Sequence, residues 1–388
     1  MENNNILIIS YYYPPMNSIG GQRAYFLNKY FVANDIKTFI VCAGIKNEVK
    51  DNIYYFEDKN LNNTSKIEKV NSRLSRVISK YSGYNKDWFN NVETNILDIV
   101  DKHDIKIVIT SFPPIETFLL GKYIKEERDI KLILDYRDGM TFEPLERNLE
   151  FLLLKNKLLK VEKDLIVNSD AVVTVSSPIT TYLEKRYKEF ELPFRTIYNG
   201  YYSEETINVE PKIFDKNFIN IVYTGKLSKS SKGQNVDLLL EALRKLPKSE
   251  YLKYKIHFFG DYSRGEIKEF KEFNIINING KVSKEESISA QLGADLLLFS
   301  TTTNRTSVVT GKLFEYLRTG KFILSLSSGC EADKIIIDTN SGGVFYKNDL
   351  NRLCDFLIKQ EFKINQKNID KYNYKYISNK YISLLNSL

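Results

Sequence analysis

Charged residues recur in this chain where a strand pattern gives way to a helix pattern. The stretch Ser307-Val308-Val309-Thr310-Gly311-Lys312-Leu313-Phe314-Glu315-Tyr316-Leu317-Arg318-Thr319-Gly320 lies between the apolar runs Ala294 to Ser300 and Phe322 to Ser327. It therefore predicts strand, loop, helix and strand, with Thr310 as the N-cap and Gly320 as the C-terminal stop. Lys312 then falls in the first helical turn, where unpaired N–H groups and the positive dipole end favour an anion such as a phosphate or diphosphate. Glu315, one turn further on, can accept hydrogen bonds from hydroxyls such as those of a ribose. Upstream, Tyr223-Thr224-Gly225-Lys226-Leu227 ends a strand pattern, and Lys232-Gly233 follows in the next loop. Two lysines six apart at a strand's carboxyl end suit the neutralisation of a diphosphate leaving group. Taken singly, each lysine also fits a solvated surface residue. A Walker A loop is excluded, since Thr306 and Leu313 stand where that motif needs Gly and Ser or Thr.

The elements that must position these residues alternate between apolar strand runs and amphipathic helix runs. In the first half, a strand at Ile6 to Ser10 leads into a loop from Tyr11 to Gly21 and a helix from Gln22 to Val32. Gly20-Gly21 would let the backbone approach a ligand, with Arg23 following in the first turn, or would form a glycine turn with no ligand. Further strands are expected at Lys37 to Ala43, Ile105 to Ser111, Lys131 to Tyr136, Ala171 to Ser176 and Arg195 to Tyr198. The second half begins near Asn199-Gly200, with strands at Asn220 to Tyr223, Lys255 to Phe259, Ile275 to Asn279, Ala294 to Ser300 and Phe322 to Ser327. This alternation implies two Rossmann-like α/β layers of parallel strands, residues 1–199 and 200–366, with a closing helix over 367–388. A nucleotide is expected in the cleft between them.

Length and charge are consistent with this division. A chain of 388 residues fits two domains, and 43% hydrophobic with 27% charged residues describes a globular protein. The net charge of +7 favours anionic partners. Because the lysines singled out sit at strand ends and form no continuous stripe, nucleic acid is not expected among them. Lys69, Arg73, Arg76 and Lys80 share one arc of a helical wheel, and Ile67, Val70, Leu74, Val77, Ile78 and Tyr81 another. Such a helix either lies on an anionic membrane surface or packs on the core with a solvated basic face. The Leu- and Lys-rich segment Asn148 to Val167 invites the same two readings. Three cysteines without metal-ligand spacing, no signal-peptide pattern and no run of ~18 apolar residues place the chain in the cytoplasm, or peripherally on the inner face of the plasma membrane.

Taken in order, these motifs resemble the GT-B glycosyltransferases, most closely the large retaining family of lipopolysaccharide, capsule and glycolipid synthesis. In the second half the resemblance rests on Gly225-Lys226-Leu227 with Lys232-Gly233, Gly280-Lys281-Val282, Ala294-Asp295, and Thr310 to Leu317 with Gly320-Lys321. In the first half it rests on Gly20-Gly21, Ser111-Phe112-Pro113-Pro114, Asp135-Tyr136-Arg137-Asp138, Ala171 to Ser176 and Asn199-Gly200. The resemblance implies transfer of a sugar from a nucleotide-diphosphate donor, UDP favoured, to a glycan or lipid-linked acceptor in surface polysaccharide or glycoconjugate synthesis. Lys226, in place of the usual arginine, and Lys232 would meet the donor phosphates and stabilise the departing diphosphate. Glu315 would hold the ribose, Val282 would offer backbone contacts to the base, and Gly20 and Gly21 would approach the phosphates from the other domain. Thr310, Gly311, Lys312 and Leu313 complete the implied donor set.

Two departures from the family pattern stand out. The family's first glutamate falls on Ser307, and Lys312 is read as supplying the compensating charge. The usual first-domain histidine is missing, since His103 precedes a strand and His257 lies within one. Asp138, alone or with Arg137, is then the acceptor-side candidate, against the plainer reading of an Arg137 ion pair or a turn cap. The resemblance implies retention with the donor's own phosphate oxygen receiving the acceptor proton, and no cofactor. The lack of an Asp-x-Asp triplet fits a metal-independent reaction. Two alternatives are a nucleotide-sugar epimerase of the same architecture, for which few acid/base side chains are available, and a non-catalytic nucleotide-sugar-binding partner subunit, which Ser307 favours.

Overall fold

The structure, a computed structural model, describes all of the chain except residues 1–4, 17–18, 63–85, 144–148, 207, 228–234 and 302–304. Two compact units are present, one formed by Met1–Asn199 with Tyr374–Leu388 and the other by Gly200–Asn373. The first contains β1 (Asn5–Ser10), β2 (Thr38–Gly44), β3 (Glu48–Lys50), β4 (Ile53–Glu57), β5 (Ile105–Phe112), β6 (Lys131–Tyr136), β7 (Ala171–Thr174) and β8 (Phe194–Thr196). The second contains β9 (Ile219–Thr224), β10 (Tyr254–Phe259), β11 (Ile276–Gly280), β12 (Leu296–Thr301), β13 (Phe322–Ser327) and β14 (Gly342–Tyr346). The sheets run β3-β4-β2-β1-β5-β6-β7-β8 and β11-β10-β9-β12-β13-β14, parallel throughout except for the β3–β4 hairpin.

The central strands are nearly continuous apolar runs because helices cover both faces of a parallel sheet. Leu7, Ile9, Val108, Leu132, Leu134 and Val172 belong to the first core, and Ile221, Tyr223, Ile256, Leu296, Leu298 and Leu324 to the second. Edge strands read differently. β11 alternates half-buried and exposed residues, and β3 is exposed throughout, as suits unpaired edges. The sequence pattern missed β3, β4 and β14, and it began the first helix too late. That helix spans Ile19–Val32, so Gly20 and Gly21 lie inside it and not in the loop before it. Gly21 packs closely there: a Cβ would sit 3.2 Å from the backbone of Tyr12 and Tyr13.

In both sheets the strand order reverses about a central strand, which creates a switch point where neighbouring connections diverge and a crevice can open. In the first unit this lies between β1 and β5, which pair from Asn5 to Ser10 along the whole of β1. In the second it lies between β9 and β12, which pair at Leu296 with Ile221 and Leu297 with Val222 before they part. The last helix, Tyr374–Leu385, belongs to the first unit, where Tyr374 stacks on Phe26 at 4.5 Å between ring centroids. Among the described residues no helix is long and apolar enough to cross a membrane. The basic segment 67–81 lies outside the described residues. In the helix Leu149–Val167, Leu158, Leu165 and Ile166 are buried, whereas Leu153, Lys157, Lys160 and Lys163 are exposed.

Candidate functional site

The carboxyl ends of β9, β10 and β11 each lead into a glycine with positive φ: Gly225 at 112°, Gly260 at 154° and Gly280 at 70°. These turns interlock. Gly225 donates its N–H to the Phe259 carbonyl at 2.7 Å, Gly260 donates to the Gly280 carbonyl at 2.7 Å, and the Tyr262 hydroxyl donates to the Gly225 carbonyl at 3.0 Å. The result is a rigid sheet edge with little side-chain bulk beside the switch point. At Gly260 glycine is obligatory, because a Cβ would lie 2.1 Å from the Gly225 carbonyl oxygen.

Lys312 lies over this edge. The helix Gly311–Leu317 follows the loop after β12, and Thr310 precedes it in an extended conformation without a side-chain cap. Gly311 and Thr310 are half-buried, Leu313 is fully buried in the core, and Lys312 turns toward β9. Its ammonium sits 3.9 Å from the centre of the Tyr223 ring and 3.0 Å from where a Cβ on Gly225 would be. Gly225 is thus needed for its backbone conformation, at φ 112°. Among the described residues no hydrogen bond or ion pair meets this ammonium. Burial pulls the Lys312 pKa down to about 7, with Glu315 working in the opposite direction. Glu315, three residues along the same helix, is half-buried and likewise makes no hydrogen bond or ion pair with the described residues. A cation and a carboxylate, both without a partner among the described residues, therefore stand at the switch point of the second sheet.

The remaining donor-side candidates are less enclosed. Lys226 is mostly exposed, and its closest carboxylate is Asp261 at 3.7 Å, a loose surface pair worth little. Val282 is half-exposed in the loop between Gly280 and the capping Ser283. Lys232 and Gly233 lie outside the described residues. Ser307 is buried. Sequence reasoning missed Tyr223 as the platform beneath Lys312, although an aromatic residue two before a strand-terminal glycine was the available signal. It also missed Tyr316, whose hydroxyl receives the Thr224 N–H at 3.1 Å and so ties the helix of Lys312 to β9.

The first unit handles its charges differently. Arg23 is fully buried and grips Asp135 with bonds of 2.8 and 2.9 Å, and it also donates to the carbonyls of Ile197 and Tyr198 and to the Tyr381 hydroxyl. Burial opposes its charge, but Asp135 and Tyr381 more than offset that and hold its pKa above the ordinary guanidinium value. Arg137 donates to the Gly20 carbonyl at 2.5 Å and to the Pro113 carbonyl, so it joins the first turn of the helix Ile19–Val32 to the segment that leaves β5. Burial lowers its pKa, with Asp138 and Asp135 opposing. Asp138 itself is half-buried beside it. Both histidines lie away from the strands' carboxyl ends. His103 stacks on Phe39 and meets the Tyr54 hydroxyl at 2.6 Å before β5 begins, and His257, within β10, meets Asn220 at 3.1 Å and is pushed by burial down to about 4. Among the described residues no three His, Cys, Asp or Glu side chains are grouped to hold a metal ion.

No protein-family model matches the chain, and no curated protein matches it either. Solved structures do match along its whole length. The chain is similar to sucrose-phosphate synthase from Thermosynechococcus elongatus, with a TM-score of 0.70, 14% identity and coverage of 99% of this chain and 98% of that one. It is also similar to Anabaena HepE in complex with UDP-glucose (TM-score 0.63, 12% identity, 99% and 100% covered). A third match is the lipopolysaccharide outer core galactosyltransferase WaaB (TM-score 0.61, 14% identity, 99% and 100% covered). The chain has the GT-B fold that these glycosyltransferases share.

Proposed function

We propose that the protein is a glycosyltransferase that takes its sugar from a nucleotide-diphosphate donor, with UDP favoured, and passes it to a glycan or lipid-linked acceptor. The observation that carries this reading is Lys312 with Glu315, a cation and a carboxylate without partners among the described residues at the switch point of the second sheet. The fold's likeness to HepE holding UDP-glucose supports it. In this reading Lys312, Lys226 and Lys232 oppose the charge of the departing diphosphate, Glu315 holds the ribose, and Gly20, Gly21, Val282, Thr310, Gly311 and Leu313 contribute backbone. Asp138 and Arg137 face the acceptor. The bond from the sugar's anomeric carbon to the phosphate oxygen breaks as the bond to the acceptor oxygen forms, with retention, and the acceptor's proton passes to that phosphate oxygen.

A thermal-shift series with UDP, GDP, CMP, ADP and dTDP tests the reading. UDP is expected to raise the melting temperature of the native chain, and Lys226→Ala and Glu315→Ala are expected to abolish the rise. If no nucleotide raises it, the donor reading fails. A second reading, a nucleotide-sugar-binding subunit without turnover, is favoured by Ser307 where the family pattern has its first glutamate. It predicts the same UDP-induced shift with no release of UDP from UDP-sugar under any acceptor. Contact of segment 67–81 with the inner membrane face belongs to the same proposal. Liposome binding unchanged after its four basic residues are neutralised would remove it.

A further inference from the structure

Among the described residues, Glu315 is the one charged group that acts on Lys312. Tyr223 on β9 presents its ring to the ammonium and spends its hydroxyl on the Lys226 carbonyl at 2.9 Å. Tyr262, after β10, spends its hydroxyl on the Gly225 carbonyl, and Tyr316, on the lysine's own helix, lies against Thr224. Burial raises the pKa of all three phenols well beyond their ordinary value, so all stay neutral. Glu315 makes no ion pair with Lys312. An aromatic face attracts an ammonium but does not replace its lost hydration. Lys312 therefore occupies a half-buried slot that offers an aromatic face to a cation and, among the described residues, no anion to hold the charge there.

We propose that Lys312 binds the donor's diphosphate by taking up a proton, so that the lysine is fully charged only while the phosphates are in place. The inference rests on the reading of this site as a nucleotide-diphosphate site. The step is a single protonation: a solvent proton joins Nζ as the diphosphate arrives, no other bond forms or breaks, and the proton returns to solvent when the diphosphate leaves. The empty site then avoids a buried charge, and the occupied site gains one directed at the leaving group. Affinity for diphosphates falls as pH rises above about 7, because the proton must be drawn from an ever more dilute supply. Nucleosides without phosphates bind without this dependence.

Calorimetric titration with UDP at pH 7.5, in PIPES and in Tris, counts the protons exchanged on binding. The native chain is expected to take up roughly half to one proton more than Lys312→Arg, whose guanidinium is charged throughout. From pH 7.5 to 8.5 the native affinity is expected to fall by up to about tenfold, with Lys312→Arg nearly flat. This window lies above the titration of UDP's own phosphate, near 6. Equal proton counts in the two proteins, with UDP bound to both, would overturn the proposal and leave the donor reading standing. Should the Arg variant not fold, a flat native affinity between pH 7 and 9 overturns it equally. If the native chain binds none of UDP, GDP, ADP, CMP or dTDP, the donor reading falls and takes the proposal with it.

Discussion

The two switch points of this molecule make opposite uses of similar residues. At the first, β1 and β5 stay paired along the length of β1, and the arginines nearby are consumed by the protein itself: Arg23 by Asp135 and Tyr381, Arg137 by the carbonyls of Gly20 and Pro113. At the second, β9 and β12 part after two paired positions, and Lys312 and Glu315 stand beside the gap without partners among the described residues. A charged residue after a strand can therefore hold the fold together or wait for a ligand. The difference lies in whether the fold brings it a carboxylate or carbonyl to accept its hydrogen bonds.

Substitutions at the two points should separate these roles. The largest effect is expected from Asp135→Ala, which leaves the Arg23 guanidinium buried and unpaired and should cost about 3–5 kcal/mol. The protein's single tryptophan, Trp88, is buried in the first unit, so urea unfolding followed by its fluorescence reads this loss directly. A loss below about 1 kcal/mol would mean that the pair is not what secures the unit.

Lys312→Met should act in the opposite direction, stabilising the protein by about 1–3 kcal/mol at neutral pH while removing UDP binding. The sign follows from linkage. With the folded-state pKa near 7 and the ordinary value 10.5, the unfolded chain holds more protons between those limits, so native stability rises with pH across that window. The Met variant should lack this rise in calorimetric scans from pH 7 to 10, and an unchanged slope would show that Lys312 is not the group responsible.

Arg137→Ala should cost about 1–3 kcal/mol by leaving the carbonyls of Gly20 and Pro113 unmet, again read through Trp88, with UDP affinity unchanged. A loss of UDP affinity without a loss of stability would move Arg137 from the structural column to the functional one. The smallest stability effect is expected at Glu315→Ala, within about 0.5 kcal/mol, because that carboxylate makes no hydrogen bond or ion pair with the described residues. A large destabilisation there would make Glu315 a structural residue and blur the contrast between the two sites.

The fold was legible wherever strands are continuous apolar runs, as in Ile6 to Ser10 or Phe322 to Ser327, since burial on both faces demands that composition. It was not legible at β3, whose Glu48-Val49-Lys50 is a charged edge, nor at β14, which opens on Gly342-Gly343. Gly342 has to be glycine, because a Cβ would meet the Ile323 carbonyl at 2.0 Å, and a constraint from a neighbouring strand leaves no periodic trace. At the sites, Lys312 and Glu315 could be singled out from their spacing, whereas the satisfied state of Arg23 could not. Its partners Asp135 and Tyr381 lie 112 and 358 residues away, and pairing over such distances is decided by topology alone.

That separation also orders events during synthesis. The first unit needs the helix Tyr374–Leu385 and so cannot be completed until that segment has emerged, whereas Gly200–Asn373 is contiguous and is finished before it. At ~5–20 residues per second, Tyr381 is made roughly 20 to 70 seconds after the Arg23 it will meet. For that interval the nascent first sheet lacks its final cover, and the half of the chain made second is the half that can fold first.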